Sequence, residues 1–320
     1  MAGNLISDYS QFIKIPEQWK RTTEKLTKIR AAAKAICLLL LIIFCLIGTN
    51  FGLPFLMIQK KIKPFFIILG TLLTIYLCNF LNQLPKIFFA LNTMQPFFTQ
   101  LFTVSAVTTV QLLLYGTIFS LFVCMMFIVN KTTRLKRSKI TPWIGAACGS
   151  MLYGIYSIIK YLSPSLNPPM GDYAALNSFY PLYFVSGYSF VIFIRMVTTL
   201  FLLWLLCTKI TNNWRENKIA GTIFMGLCGI IVIGFIEIIT IPAFLIGGLL
   251  IGLLFALLYH LVLHKDVTLL PFVAGTPLFL YLINQALLHS YLQVALCNLL
   301  AMCVIIFAAY HWFNQIGKTA

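Results

Sequence analysis

Long apolar runs separated by short polar or proline-bearing stretches fill the chain from residue 35 to residue 313. They cover 35–57, 64–84, 99–129, 143–162, 183–207, 219–239, 242–263, 268–288 and 291–313. A helix rises about 1.5 Å per residue, so about 20 apolar residues cross a hydrocarbon core about 30 Å thick. Backbone amides find no partner in lipid, so each run must satisfy them within a helix. The pattern therefore predicts an all-α, polytopic transmembrane helix bundle of about nine spans, within a range of about eight to ten. The 99–129 run exceeds the core thickness and is expected to tilt or to project.

The first 34 residues differ. From Pro16, a residue favoured in a first helical turn, Trp19, Thr23, Leu26, Ile29 and Ala33 recur at helical spacing. Lys20, Lys25, Lys28 and Arg30 take much of the remaining surface. This reads as a basic helix lying in the membrane interface, or as a solvated lead-in to the first span. The chain thus divides into a basic segment over 1–34, a multi-span domain over 35–313 and a short tail over 314–320. The first apolar run begins late and is longer than a signal-peptide core, so it is expected to act as an uncleaved anchor.

Composition agrees with lipid as the solvent. Of 320 residues, 60% are hydrophobic and 9% charged, and the mean hydropathy is +0.94. Soluble domains carry about 25% charged residues. The 23 Lys and Arg against 7 Asp and Glu give a formal charge of +16. Aromatics do not interleave with the basic clusters, which argues against nucleic acid as a partner. Anionic lipid headgroups are the expected partner, with a further membrane protein as a candidate.

The basic residues also set orientation. The loop with Lys131, Arg134, Lys136, Arg137 and Lys139 is assigned to the cytoplasm. The loop bearing Lys209, Arg215 and Lys218, the loop with Lys265, and the end with Lys318 then fall inside. The loop at 163–181 has no basic residue and falls outside. Counting back over nine spans puts Lys60, Lys61 and Lys63 inside but the basic N-terminus outside, against the rule. One of the first three runs is therefore expected to fall short of crossing, near Gly48 to Pro54 or Pro85 to Pro96.

Candidate chemistry is sparse. Ionisable groups inside a span are costly and default to a functional reading. Arg195 lies near the centre of its run, Glu237 is the one acid within any run, and Lys160 lies near an outer end. At 1.5 Å per residue, Lys160 and Glu237 sit roughly 25 Å from the inner surface and Arg195 roughly 20 Å. Asn284, Gln285 and His289 reach the same outer level. These six are expected to form an intramembrane polar cluster. In the alternative, Lys160 snorkels, Arg195 and Glu237 form a structural pair, and the amides join helices. Gly145 with Gly149, and Gly248 with Gly252, form GxxxG spacings expected to pack helices inside the bundle. Pro242 closes a tight connection after Glu237.

No catalytic residue, cofactor site or metal site is predicted. His260 and His264 are spaced i, i+4 without a carboxylate in their turn, and no HExxH, P-loop or GxGxxG occurs. The 9 cysteines lie in apolar runs without a CxxC pair and read as small hydrophobes.

The loop Asn167-Pro-Pro-Met-Gly-Asp-Tyr-Ala-Ala-Leu176 and the later Leu-Leu-Tyr-His-Leu-Val-Leu-His-Lys-Asp-Val-Thr-Leu-Leu-Pro271 resemble the non-catalytic membrane region of some large bacterial proteins. Those proteins are grouped with the CPBP (CAAX-protease and bacteriocin-processing) intramembrane metalloproteases. The resemblance covers about the second half of the chain. The family's catalytic pattern is Glu-Glu followed by Arg, then FxxxH and HxxxN. Here Glu237 follows Ile236, no Arg stands at the required spacing after it, and Phe255 precedes His260 by one residue too many. The resemblance implies a membrane module without its own peptidase motif, in a bacterial cytoplasmic membrane. A small-molecule or ion transporter using Arg195 and Glu237, and a scaffold subunit of a membrane complex, are the other two readings.

Overall fold

The computed structural model describes residues 17–58, 62–89, 91, 96–133, 140–162, 178–212, 215–234, 241–264, 266–288 and 291–318. It is an all-α polytopic bundle. The helices are α1 (Glu17–Ile58), α2 (Ile62–Asn82), α3 (Leu84–Phe89), α4 (Phe97–Thr133) and α5 (Thr141–Leu162). They continue with α6 (Pro181–Ile210), α7 (Lys218–Gly234), α8 (Ile241–Leu258), α9 (Leu270–Leu288) and α10 (Leu292–Lys318). Among the described residues, 8 helices are long and apolar enough to cross a membrane, and α7 holds a shorter apolar helix, Lys218–Val232.

The three N-terminal runs each form one of those 8 helices, at Thr27–Asn50, Lys63–Asn82 and Phe97–Met126. Each of the three is thus long and apolar enough to cross. Helix α1 also runs unbroken from the basic segment through the first span. Its direction follows from its contacts. The Cys37 thiol donates to the Ile230 carbonyl near the end of α7, while Gly48 faces Leu202 and Phe122 further along the bundle. The basic start of α1 thus lies at the end where α6 begins, called the upper end below. The charge conflict posed by the sequence persists in the fold.

Helix α6 is the axle. It packs against α1, α2, α4, α7, α9 and α10, and Phe193, Val197, Phe201 and Cys207 along it are wholly buried. In lipid no hydrophobic force drives such burial, so close packing and interhelical hydrogen bonds must hold α6 in place. At its upper end Tyr180 is extended and Pro181 occupies the first turn, where a missing N–H costs nothing. Asn82, at the end of α2, clamps this start. Its amide nitrogen donates to the Tyr180 carbonyl at 3.1 Å, and its amide oxygen accepts from the Tyr180 N–H at 2.8 Å. At the lower end Asn212 and Asn217 adopt positive φ (44° and 46°), a conformation asparagine tolerates.

The glycine pairs pack helices inside the bundle. A Cβ at Gly145 would meet Phe272 at 2.7 Å, and one at Gly149 would meet Thr276 at 2.7 Å, so α5 lies directly on α9. A Cβ at Gly252 would meet the Gly226 Cα at 2.6 Å, and one at Gly248 would meet Ile230 at 2.8 Å, so α8 lies directly on α7. The sequence pattern did not mark Gly229, whose own Cβ would lie 2.2 Å from the Gly248 carbonyl oxygen.

The surface is apolar where a soluble protein would be polar. Leu39, Ile43 and Leu46 on α1, Phe98 and Phe102 on α4, Leu249, Leu253 and Leu257 on α8, and Leu300 and Phe307 on α10 are all exposed. Ser120, Ser189, Thr198 and Asn298 are buried. Exposed apolar faces of this extent fit lipid as their neighbour.

Candidate functional site

A cavity of about 720 Å³ lies against α6, between α5, α8, α9 and α10, with Val232 of α7 at its edge. Its size falls within the range of about 300–1,000 Å³ typical of small-molecule sites. The α6 wall is a stripe at helical spacing: Val185, Ser189, Ile192, Met196, Leu200 and Leu203, with Tyr188, Arg195 and Thr199 beside it.

The lining changes character along the axis. Tyr153 and Tyr156 of α5, Tyr188 and Ser189 of α6, Tyr281 and Gln285 of α9 and Asn298 of α10 all lie toward the upper end. Leu200, Leu203 and Phe255 lie toward the lower end, where Thr199 is the polar exception; Gly275 is level with Phe193, so Pro277 and Leu278 stand above Arg195, beside the apolar Val185, Val232 and Val294. Arg195 stands between the two zones, about 21 Å along α6 from Pro181 at about 1.5 Å per residue. Among the described lining residues it is the single charged side chain.

Arg195 is held from the other side of α6. Its guanidinium carbon lies 5.0 Å from the centroid of the Tyr115 ring on α4. Such a cation–π contact contributes about 0.5–2 kcal/mol. A ring under its face leaves guanidinium N–H groups free to donate at the edges. From α2, Tyr76 comes within electrostatic reach of the guanidinium, yet its buried hydroxyl has no hydrogen-bond partner among the described residues. The contact therefore falls short of hydrogen-bond geometry. One turn on, the Asn79 amide oxygen is likewise buried and unpartnered. Among the described residues no carboxylate forms an ion pair with Arg195.

Several cavity groups keep their hydrogen-bonding capacity. Most helical hydroxyls here bond back to the preceding turn, as Ser186 does to Leu182 and Thr198 does to Ile194. Ser189 and Thr199 make no hydrogen bond among the described residues, although Ser189 is only 4% exposed. The Asn298 amide nitrogen donates to the Val294 carbonyl at 3.0 Å, and the residue lines the cavity.

Of the six residues expected to cluster, Arg195 and Gln285 both line the cavity. Lys160 and Asn284 are exposed and are not on its wall. Glu237 and His289 lie outside the described residues. Successive helical positions differ by about 100° in direction, so Asn284 and Gln285 face different surroundings. The sequence reading passed over Tyr153, Tyr156, Tyr188, Ser189, Thr199, Tyr281 and Asn298. The signal for Thr199 was present, since it stands one helical turn from Arg195.

A second polar knot closes the lower end. At the end of α8 a single π turn, Tyr259–Leu263, widens the helix. The Trp204 indole N–H donates to the Leu263 carbonyl at 2.9 Å, and the Tyr259 and Thr208 hydroxyls bond at 2.8 Å. Asp266 accepts from the Thr268 N–H at 2.9 Å and so caps the turn into α9. His260 and His264 stack with ring centroids 6.1 Å apart, and His264 Nδ1 lies 3.0 Å from the Tyr259 carbonyl. Among the described residues no group of three or more His, Cys, Asp or Glu side chains is arranged to hold a metal ion. All nine cysteines are free thiols.

Fold and site together define a helical membrane protein with an internal, polar-to-apolar cavity. Comparison of the chain with protein-family models, with curated proteins and with solved structures finds no match. The likeness to the CPBP membrane region rests on the quoted residues alone.

Proposed function

We propose that the chain is a multi-pass transporter that takes a small molecule into the α5–α10 cavity and releases it at the opposite face of the membrane. The carrying observation is the cavity itself, which reaches Arg195 and is lined by Ser189 and Thr199, hydroxyls that make no hydrogen bond among the described residues. A scaffold subunit has no need of about 720 Å³ of lined space beside its central helix. Intramembrane charge facing such a space is a recurring feature of substrate pathways. We propose the bacterial cytoplasmic membrane as the setting. The lower end, with Lys209, Arg215 and Lys218, would face the cytoplasm.

Access to the cavity tests this without knowing the substrate. Ser189→Cys and Thr199→Cys are treated with a membrane-impermeant thiosulfonate in intact cells and in inverted vesicles, against the background of the native chain. Modification of both positions from both faces is the expected result. Modification from one face only would reduce the protein to a binding module. Protection from both faces would make the bundle a scaffold.

A further inference from the structure

We infer that the ligand of this cavity is a long-chain anion, held with its head between Arg195 and the upper polar groups and its chain in the lower half. The inference rests on the transport reading and adds the substrate class to it. Three features converge. The single described charge on the wall is a cation, and no described acidic side chain lines the cavity to oppose it. The groups above it, Ser189 Oγ, the Asn298 amide and Gln285, are hydrogen-bonding and uncharged. Ser189 is almost fully buried, lines the cavity and makes no hydrogen bond among the described residues, which leaves its hydroxyl for a ligand atom. Below Arg195 the wall becomes Leu200, Leu203, Ile251 and Phe255, with Thr199 as its one hydroxyl.

That division fits an amphiphile better than the alternatives. A small hydrophilic anion would leave the apolar floor empty, its lining without contacts. An uncharged hydrocarbon would desolvate Arg195 and these hydroxyls without compensation. A cationic amphiphile would meet like charge at mid-depth. A carboxylate or phosphate head accepts charge-assisted hydrogen bonds from guanidinium N–H groups, which are the stronger kind. Tyr115, lying under the guanidinium, holds it at that depth. The stretch of α6 from Arg195 to Leu203 is about 12 Å long, which suits a chain of moderate length.

The test uses the full chain in nanodiscs of zwitterionic lipid and decyl phosphate carrying a diazirine at its terminal carbon. After illumination, labelled peptides are mapped by mass spectrometry. Unlabelled decyl phosphate, decanoate, decyltrimethylammonium and decyl maltoside compete in separate arms. Label is expected on the cavity side of α6 below Arg195 and at Ile251 to Phe255 of α8. The two anions are expected to compete at least about tenfold better than the cation or the neutral maltoside. Arg195→Gln should abolish that preference while Arg195→Lys retains it. The lysine variant also covers the case in which the glutamine variant fails to fold.

A preference for decyl phosphate over decanoate, or the reverse, would fix which head is bound, and either supports the inference. Equal competition by the cation or the maltoside would overturn the anionic class and leave the cavity reading standing. Uncompeted label confined to the lipid-facing Leu249, Leu253 and Leu257 would remove both.

Discussion

Replacing Gly229 with alanine adds one methyl group where the fold has no room for it. The new Cβ would lie 2.2 Å from the Gly248 carbonyl oxygen, 2.2 Å from the Gly252 nitrogen and 2.6 Å from the Gly252 Cα. All three are backbone atoms, so no side chain can rotate aside. Ordinary contact begins near 3.4 Å. Helix α8 must therefore retreat by about 1 Å, a gap that forfeits a quarter to a half of the dispersion energy along the seam. Overpacking of this kind costs about 1–3 kcal/mol, and a backbone-on-backbone clash belongs at the top of that range. Alanine returns about 1 kcal/mol through helix propensity. The net expectation is about 2 kcal/mol of destabilisation. Gly226 on the same helix is the internal control, because its Cβ would meet nothing within 4 Å. Gly226→Ala should be neutral or stabilising by up to about 1 kcal/mol. The assay is unfolding in mixed micelles of dodecyl maltoside and dodecyl sulfate, followed by circular dichroism. Gly229→Ala should unfold at a lower sulfate mole fraction than Gly226→Ala. Coincident transitions would refute the close α7–α8 seam, and with it the position of Ile251 and Phe255 on the cavity wall.

Two further outcomes follow from the surroundings of Arg195. Tyr76→Phe removes a buried hydroxyl that has no partner among the described residues, so the unfolding transition should stay in place or move to higher sulfate, by about 1 kcal/mol. A loss of stability would mean that the hydroxyl bonds to the guanidinium after all. Arg195→Met should raise stability by about 1–3 kcal/mol in the same titration while competition by decyl phosphate disappears.

How much of this was legible beforehand differs between fold and site. Spans are set by a one-dimensional property, and each of the nine apolar runs lies on a helix, although α1 begins 18 residues before its run and the end of the 219–239 run lies outside the described residues. Close approach of helices was legible only in part. Gly145, Gly149, Gly248 and Gly252 announced themselves by spacing, while Gly226 and Gly229 carry the other half of one seam at a spacing of three. The cavity was harder. It depends on which face of each helix turns toward α6, and that is a matter of angle that hydropathy does not carry. Asn284 and Gln285 illustrate the point, because equal depth says nothing about direction. Arg195 was legible, since a charge in mid-span is visible in any hydropathy trace. Its tyrosine support was not, because Tyr115 and Tyr76 come from helices distant in sequence.

The Arg195→Met outcome decides between two accounts of why a charge sits in the middle of the most buried helix. At a helix centre in lipid an arginine costs about 2.5–3.5 kcal/mol on insertion scales. The Tyr115 ring offsets about 0.5–2 kcal/mol of that. The remainder is a standing cost to the empty protein, and it falls when a water-filled cavity or an anionic head solvates the guanidinium. On this account removing the charge relieves the fold and destroys the site, the usual trade between stability and activity. The sequence-level alternative, an ion pair of Arg195 with Glu237, predicts the opposite sign. Removing one partner of a buried pair strands the other charge and costs about 3–5 kcal/mol. The two accounts are thus separated by about 5 kcal/mol in one variant, well beyond the scatter of either estimate. A sharply destabilised Arg195→Met chain would assign the arginine to architecture and take the head-group role from it.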